Sequence, residues 1–209
     1  MTKITAIIPT LNEEIHIEEA IKSVGFADEI IVIDSYSTDK TIEIAEKLHV
    51  KIIKRKFDDF SSQKNFAIDQ AQHEWIYILD ADERVTPEVE REVLEAVNDP
   101  GNYVGFYVRR SFYLSGKTVK YGGFQRDKVV RLFLKEFCRY NGNPVHETIL
   151  ADGKLGFFKH KIDHYSYRNY NHYIEKLNHY AALRAKQLHS QGKTVSLYHI
   201  LIKPPVRFF

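Results

Sequence analysis

The stretch "WIYILDADE", residues 75–83, decides the fold because it joins a buried strand to a cluster of acids. Five mostly apolar residues are typical of a strand covered on both faces, as in a parallel sheet between helices. Asp80, Asp82 and Glu83 follow at once, and a protein interior does not tolerate unpaired carboxylates. A positive charge is therefore expected beside the end of this strand.

Residues 1–100 alternate between strand-like and helix-like segments around this stretch. "KITAIIPT", "EIIVIDS" and "VKIIKRKF" are typical of strands, whereas "EIHIEEAIKSVG", "STDKTIEIAEKLH", "SSQKNFAIDQA" and "TPEVEREVLEAVND" are typical of short helices. This alternation predicts an α/β fold with a mostly parallel central sheet, helices on both faces and right-handed crossovers.

Polar clusters follow three of these strands, namely "PTLNEE", "DSYSTD" and "DADE". In an open parallel sheet, ligands bind beyond the carboxyl ends of the strands. The three clusters are therefore expected to meet at one edge of the sheet and to form a single site.

Residues 101–209 differ in composition from the first hundred. The first hundred residues hold 11 Lys+Arg and 22 Asp+Glu, whereas the remainder holds 19 and 6, together with 11 of the 13 tyrosines. Aromatic-rich segments such as "YVGFYVRRSFYLSG", "KVVRLFLKEFCRY" and "KLGFFKHKIDHYSY" indicate strands, and "NYNHYIEKLNHYAALRAKQLHSQG" indicates a long helix. We predict two functional halves, 1–100 and 101–209, within a single compact domain.

The cysteine count and the lengths of the apolar runs exclude several classes of protein. A single cysteine, Cys138, excludes an internal disulfide and a Cys-x-x-Cys zinc site. The N-terminus lacks the apolar run of a signal peptide, and no run approaches the roughly 20 residues of a membrane span. We expect a cytoplasmic protein.

The two aspartates of "DADE" are candidate metal ligands. They lie two positions apart, and at a strand's end the chain can bend so that one or both meet a divalent cation. Hard carboxylate oxygens suit Mg²⁺ or Mn²⁺ carrying a diphosphate; the alternative is a capping and turn cluster. Asp34, also at a strand's end, can accept from a base N–H or a ribose hydroxyl, or can cap the turn "STD".

The segments "IIPTLNEE", "IVIDSYSTDKT", "QKNFAI" and "WIYILDADE", in this order and spacing, resemble the nucleotide-binding half of family 2 glycosyltransferases with the GT-A fold. The match covers roughly residues 3–100. "VVRLF", "NPVHETI" and "IDHYSY" with the long helix resemble, more loosely, the bacterial branch that includes lipopolysaccharide core glycosyltransferases. In this chain "DSYSTD" replaces the common Asp-Asp-Gly-Ser-Thr-Asp, which removes an acid and a glycine from the turn.

The resemblance implies specific roles at the donor site. Asp34 would bind the uracil or ribose, and Lys64 would contact the base or the diphosphate. Asp80 and Asp82 would form the Asp-x-Asp motif, with Asp82 closest to the metal. The first loop around the nucleotide would consist of Pro9, Thr10, Asn12 and Glu13. Apart from the resemblance, Arg131 in "VVRLF" is a candidate to reach the donor's diphosphate instead of the acceptor.

Inversion at the sugar needs a base that takes the proton of the acceptor hydroxyl. The acids of the first half are assigned to nucleotide and metal, so the base is expected in the second half. Glu147 in "PVHETI" is our first choice, with His146 orienting the acceptor or serving as a further metal ligand. Asp127 in "GGFQRDK" is the second choice.

The basic second half predicts an anionic acceptor. Cations among tyrosines and phenylalanines suit a phosphorylated glycan, a lipid-linked acceptor or an anionic membrane surface at the inner face of the cell membrane; a solvated basic face is the alternative. We do not expect nucleic acid as a partner, because no binding motif is recognisable. The cations considered are Arg109, Arg110, Lys117, Lys120, Arg126, Lys128 and Arg131.

The sequence thus predicts an inverting, metal-dependent hexosyltransferase that uses a nucleotide-sugar, a UDP-sugar by expectation, and a cell-envelope glycan such as lipopolysaccharide core. A sugar-phosphate nucleotidylyltransferase would need a glycine-rich first loop, and "PTLNEE" has no glycine. A non-catalytic nucleotide-sugar binding protein would keep the fold without the acid of the second half.

Overall fold

The computed structural model describes residues 2–121, 127–142, 147–167 and 169–208. The strands, in chain order, are β1 (Ile4–Thr10), β2 (Glu29–Asp34), β3 (Lys51–Lys54), β4 (Trp75–Ile78), β5 (Glu83–Arg84), β6 (Tyr103–Leu114), β7 (Lys117–Thr118), β8 (Lys128–Leu134), β9 (Cys138–Tyr140), β10 (Ile149–Ala151) and β11 (Lys154–Tyr167). The helices are α1 (Ile17–Ser23), α2 (Thr41–Lys47), α3 (Phe60–Asp69), α4 (Pro87–Asn98), α5 (Tyr170–Ser190) and α6 (Lys203–Phe208), with a π-helical turn at Tyr198–Ile202.

The first half builds the parallel part of the central sheet. The strand order is β3-β2-β1-β4, and each of these neighbours pairs in parallel, as the alternating sequence predicts. The chain moves outward from β1 to β3 and then returns to place β4 on the other side of β1. This reversal creates the topological switch point at which open α/β sheets bind ligands.

The second half extends the same sheet with antiparallel strands. β8 pairs antiparallel with β4, and β6 pairs antiparallel with β8, so the sheet continues as β4-β8-β6-β11-β5. The sheet therefore crosses residue 100 without interruption. The compact units divide instead between Ser166 and Tyr167, and the division near residue 100 stays a prediction about function.

Both faces of the parallel strands are buried. Along β1, Ile4, Ala6 and Ile8 pack in one apolar cluster, whereas Ile7 packs in the other. Helices α1, α2 and α4 contribute to the first cluster, and α3 contributes Ala67 and Ile68 to the second. Helices thus cover both faces, which explains why "WIYIL" is apolar at every position.

Side-chain caps set where two of the helices begin. The Asp59 carboxylate accepts from the backbone N–H of Ser62 (2.9 Å) at the start of α3. Thr86 caps α4, and Pro87 occupies its first turn.

The second compact unit, from Tyr167 onward, contains α5, the π-helical turn and α6. The long helix expected near "NYNHYIEKLNHY" is present as the 21 residues of α5. Among the described residues, none of the helices combines the length and the apolar character that crossing a membrane would require.

Candidate active site

The acidic segment after β4 forms a turn. The backbone N–H of Glu83 donates to the carbonyl of Asp80 (2.9 Å), and the Glu83 carboxylate accepts from the backbone N–H of Asp80 (3.2 Å). Glu83 then opens β5, which lies at the opposite end of the strand order from β3. The turn places Asp80 and Asp82 at the switch point beside the end of β1.

The protein itself supplies positive charge beside Asp80. Nη2 of Arg131 lies 2.5 Å from one carboxylate oxygen, and Nζ of Lys64 lies 3.4 Å from the other. Burial alone would raise the pKa of Asp80, but the guanidinium and ammonium groups outweigh it and hold that pKa well below its usual range. Asp80 therefore remains ionised, and its charge is balanced without a metal.

Glu83 anchors the same cluster from inside the protein. Its side chain is fully buried, and its Oε1 accepts from Nη2 of Arg131 (2.5 Å) and Nη1 of Arg110 (3.2 Å). Arg110 is also ion-paired with Asp127. Of the cations predicted to serve an anionic acceptor, Arg110 and Arg131 are instead engaged by these acids, and Arg131 is only 3% exposed.

Lys64 brings the predicted base Glu147 to this cluster. Its ammonium lies 2.9 Å from the Glu147 carboxylate, and 5.1 Å from the centre of the Tyr140 ring. Burial lowers the pKa of Lys64, but Asp80 and further negative partners outweigh that effect and raise it above the usual value. Lys64 is therefore a fixed buried cation between two acids.

Asn65 holds in place the strand that leads toward Glu147. Its amide oxygen accepts from the backbone N–H of Tyr140 (3.0 Å), and its amide nitrogen donates to the Tyr140 carbonyl (3.1 Å). This pair of hydrogen bonds fastens β9 to α3, and β9 pairs with β10, which begins two residues after Glu147. The sequence analysis assigned no role to Asn65, although it lies within "QKNFAI".

Asp82 lies beside His164, a residue that the sequence analysis did not single out. Nε2 of His164 lies 3.3 Å from Oδ1 of Asp82, and Nδ1 of His164 is buried with no hydrogen-bond partner among the described residues. The pairing of β5 with β11 sets His164 opposite Glu83. The motif "IDHYSY" contained this histidine, but only the strand register places it beside the acids.

Asp34 acts as a turn residue in this structure. It is fully buried, and its carboxylate accepts from the backbone N–H (3.0 Å) and the hydroxyl (2.5 Å) of Ser37. This turn also contacts the first loop. The Ser37 hydroxyl accepts from the backbone N–H of Asn12 (2.9 Å), and the Asn12 side chain accepts from the N–H of Thr38 (2.8 Å). This geometry matches the capping alternative; a nucleotide contact by Asp34 stays a prediction.

The first-loop residues lie where the three polar clusters meet. Thr10 ends β1 opposite Asp34 at the end of β2, and Pro9 precedes it in β1. Asn12 has a positive φ of 55°, and the backbone N–H of Glu13 donates to Thr41 (2.8 Å). The expected convergence at one edge is therefore observed. His146 and Arg126 lie outside the described residues.

A divalent cation could be held at this edge only if a bound diphosphate supplied further ligand atoms. Among the described residues, no three His, Cys, Asp or Glu side chains are grouped to hold a metal. The Asp82 carboxylate suits Mg²⁺ or Mn²⁺ when a diphosphate and water complete the shell, whereas a contact with the His164 imidazole would favour Mn²⁺ over Mg²⁺, which prefers oxygen ligands. Asp80 already faces two cations, so Asp82 is the better placed of the two aspartates.

The sequence that builds this sheet and its acidic turn matches the profile of a known class of enzymes. The sequence profile described as "Glycosyl transferase family 2" matches residues 5–179. The chain therefore belongs to glycosyl transferase family 2. This assignment confirms the predicted family, the GT-A fold class and the enzyme class.

Relatives of this chain are similar over nearly its whole length. An uncharacterized glycosyltransferase of Rickettsia felis is 31% identical over 96% of this chain and 75% of its own length. The lipopolysaccharide core biosynthesis glycosyltransferase LpsC of Rhizobium meliloti is 28% identical over 98% of this chain and 78% of its own length.

Solved structures are similar to this chain at lower sequence identity. S. aureus TarS 1–349 in complex with UDP-GlcNAc is 22% identical, with a TM-score of 0.44, over 57% of this chain and 37% of that one. Glucosyl-3-phosphoglycerate synthase from Mycobacterium tuberculosis, in complex with Mn²⁺, UDP and phosphoglyceric acid, is 21% identical, with a TM-score of 0.44, over 53% of this chain and 43% of that one. This chain spans less than half of either solved protein.

Proposed function

We propose that this chain is an inverting, metal-dependent glycosyltransferase that moves a hexose from a UDP-sugar to a cell-envelope glycan such as lipopolysaccharide core. The observation that carries the proposal is the meeting of Lys64, Asp80 and Glu147 at the switch point of the sheet. A cation lies there between an acid from the donor half and an acid from the acceptor half. The name of the Rhizobium meliloti relative supports the acceptor class.

The donor would bind across the ends of β1, β2 and β4. Pro9, Thr10, Asn12 and Glu13 would form the wall toward β1, and Lys64 is a buried cation that lies 3.4 Å from Asp80 at this edge. A diphosphate bound here would face that ammonium in a site of low water content, where charge interactions are strong. Arg131 would act mainly by holding Asp80 and Glu83 in place.

Asp82 and His164 would hold Mg²⁺ or Mn²⁺ together with the diphosphate. When bound, the cation neutralises negative charge on the leaving nucleoside diphosphate. The contribution of the protein is the fixed separation of 3.3 Å between the imidazole and the carboxylate, which the β5–β11 register sets.

Glu147 would act as the base. As the acceptor oxygen forms its bond to the anomeric carbon, the bond from that carbon to the diphosphate oxygen breaks, and the acceptor proton passes to the Glu147 carboxylate. Its side chain keeps 20% exposure, so an acceptor hydroxyl can reach it. Asp127 is the second candidate; its carboxylate is ion-paired with Arg110, as that of Glu147 is with Lys64.

A peripheral contact with the inner face of the cell membrane is part of the proposal. The segment from Val195 to Val206 exposes large apolar side chains, including Leu197 (72%) and Leu201 (64%). The sequence contains no Asp or Glu after Glu175. Exposed apolar groups beside cations suit an anionic lipid surface.

The experiment that tests the function is donor turnover. The protein is incubated with UDP-, GDP- and CDP-sugars in the presence of Mn²⁺ or of a chelator, and released nucleoside diphosphate is measured with and without deacylated core oligosaccharide. We expect release from one donor class that depends on the cation and increases with the acceptor. Tight binding without release or transfer would identify a non-catalytic nucleotide-sugar binding protein instead.

A further inference from the structure

The outward side of β6, β8 and β11 carries a cluster of aromatic rings under a cation. The rings of Tyr107 and Phe157 stack with their centres 4.9 Å apart. Nζ of Lys128 lies 4.7 Å from the Tyr107 ring and 4.8 Å from the Phe157 ring. Phe157 is 53% exposed. A large apolar ring on an open sheet face indicates a binding function more than a packing one.

A second ring pair lies on the same strands beside the acidic turn. Tyr113 and Tyr165 stack with their centres 4.8 Å apart. The backbone N–H of Tyr165 donates to the carbonyl of Asp82 (2.8 Å), so this pair adjoins the candidate donor site. Tyr107 and Tyr113 lie six positions apart along β6, a span of about 20 Å. Arg109 is exposed on β6 between them.

Tyr107 packs in part against the second apolar cluster, but the exposed Phe157 ring and the Tyr113–Tyr165 pair belong to neither core cluster. The alternate residues of the same strands, Phe106, Val108, Phe112 and Phe158, point inward and are at most 8% exposed. Strands with one face on the core commonly place polar residues on the other face. Here the outward face carries aromatic and cationic side chains instead.

We propose that this surface, consisting of Tyr107, Arg109, Tyr113, Lys128, Phe157 and Tyr165, binds the acceptor as a phosphorylated oligosaccharide. Flat apolar rings can pack against the C–H faces of sugar rings, and the cations are complementary to phosphate groups. The Tyr113–Tyr165 end, next to Asp82, would receive the residue that is glycosylated. This inference rests on the proposed function and specifies its acceptor site.

Direct binding tests the surface without relying on transfer. Deacylated, phosphorylated lipopolysaccharide core oligosaccharide is titrated calorimetrically into the protein, and the same oligosaccharide after dephosphorylation is titrated in parallel. Phe157→Ala is compared with Phe137→Ala, which removes another partly exposed ring, and Lys128→Gln is compared with Lys47→Gln. Thermal unfolding of each variant checks the fold, and UDP titration with Mn²⁺ checks the donor site.

We expect Phe157→Ala to weaken oligosaccharide binding about two- to tenfold and to leave UDP binding unchanged. Lys128→Gln should reduce the preference for the phosphorylated form, and both controls should bind as the wild type does. The surface assignment is overturned if the oligosaccharide does not bind, or if Phe157→Ala and Phe137→Ala behave alike. It is also overturned if Phe157→Ala and Lys128→Gln impair only the binding of the protein to anionic vesicles, measured in parallel. Oligosaccharide binding that depends on Phe157 in a protein that binds no nucleotide would overturn the proposed function and retain the surface.

Discussion

The ammonium group of Lys64 lies 2.9 Å from the carboxylate of Glu147, although 83 positions separate the two residues in the chain. The same ammonium lies 3.4 Å from Asp80. One buried cation from α3 therefore joins the end of a parallel strand to the segment before β10. The site depends on both halves of the sequence, and its stability and chemistry can be tested through this cluster.

Removal of Arg131 should strongly destabilise the fold. Arg131→Met leaves the fully buried Glu83 carboxylate without one of its partners, and breaking a buried ion pair costs about 3–5 kcal/mol. Urea denaturation at pH 7 measures the loss. Arg139→Met is the matched control, because the pair of Arg139 with Asp69 is exposed and is expected to contribute about 0–1 kcal/mol. Equal losses in the two variants would contradict the buried network.

The pH dependence of stability should change when Lys64 is replaced. Because Arg131 and Lys64 lower the pKa of Asp80 in the folded protein, its contribution to stability is present above the pKa of the unfolded chain, about 3.9. That contribution is lost as pH falls through the lower folded value. In Lys64→Met the folded pKa rises toward the unfolded one, so we expect less stability at pH 5–7 and a shallower loss on acidification. Urea titrations between pH 3 and 7 measure this, and an unchanged slope would refute the coupling.

Asp82, rather than Asp80, should be needed for the Mn²⁺-dependent binding of UDP, together with His164. Asp82→Asn removes a charged oxygen beside His164, so UDP binding should lose most of its dependence on Mn²⁺. His164→Asn should show the same loss. Calorimetric titration of UDP with Mn²⁺ and with a chelator measures both, and Asp58→Asn at an exposed site is the control. Cation-dependent UDP binding that survives in both variants would exclude this pair as metal ligands.

Two substitutions can distinguish a nucleotide contact of Asp34 from its role in the turn with Ser37. Asp34→Asn keeps an oxygen that accepts from Ser37 but removes the charge, whereas Ser37→Ala removes a hydroxyl that donates to Asp34 and accepts from the backbone N–H of Asn12. If Asp34 contacts the nucleotide, Asp34→Asn should weaken UDP binding several-fold or more, and Ser37→Ala should mainly lower stability by about 0.5–1.5 kcal/mol. Nucleotide titration and thermal unfolding of both variants decide this. Unchanged UDP affinity in Asp34→Asn would leave Asp34 as a turn residue alone.

The identity of the base is tested by a pair of amide variants. Glu147→Gln keeps the shape of the side chain and removes its basicity, so transfer should fall about 10²–10⁴-fold while UDP binding with Mn²⁺ persists. If Glu147 is the base, Asp127→Asn should retain most of the transfer rate. Initial rates at saturating donor measure both. A near-native rate in Glu147→Gln with an inactive Asp127→Asn would assign the base to Asp127.

The sequence "QKNFAI" shows how much of the site could be foreseen. Periodicity and composition placed these residues on a helix, and the family resemblance pointed to Lys64. The structure shows three successive side chains contacting four separate segments of the chain: Gln63 reaches Ser35 (2.6 Å), Lys64 reaches Asp80 and Glu147, and Asn65 reaches Tyr140. The partners could not be predicted, because helical period alone does not tell which strands surround a helix.

The sequence by itself determined the parallel half of the sheet and the edge at which the site lies. Apolar runs that end in polar clusters specify strands buried on both faces, and parallel strands place their carboxyl ends at one edge for geometric reasons. Only the tertiary structure decided which charges meet. Arg131 lies 51 positions from Asp80 and 48 from Glu83, and they meet because β8 adds antiparallel to β4. His164 reaches Asp82 because β11 pairs with β5. The alternation of side chains along a strand sets the face on which each one lies, but not which strand lies beside it. These contacts therefore follow from the order and register of the strands.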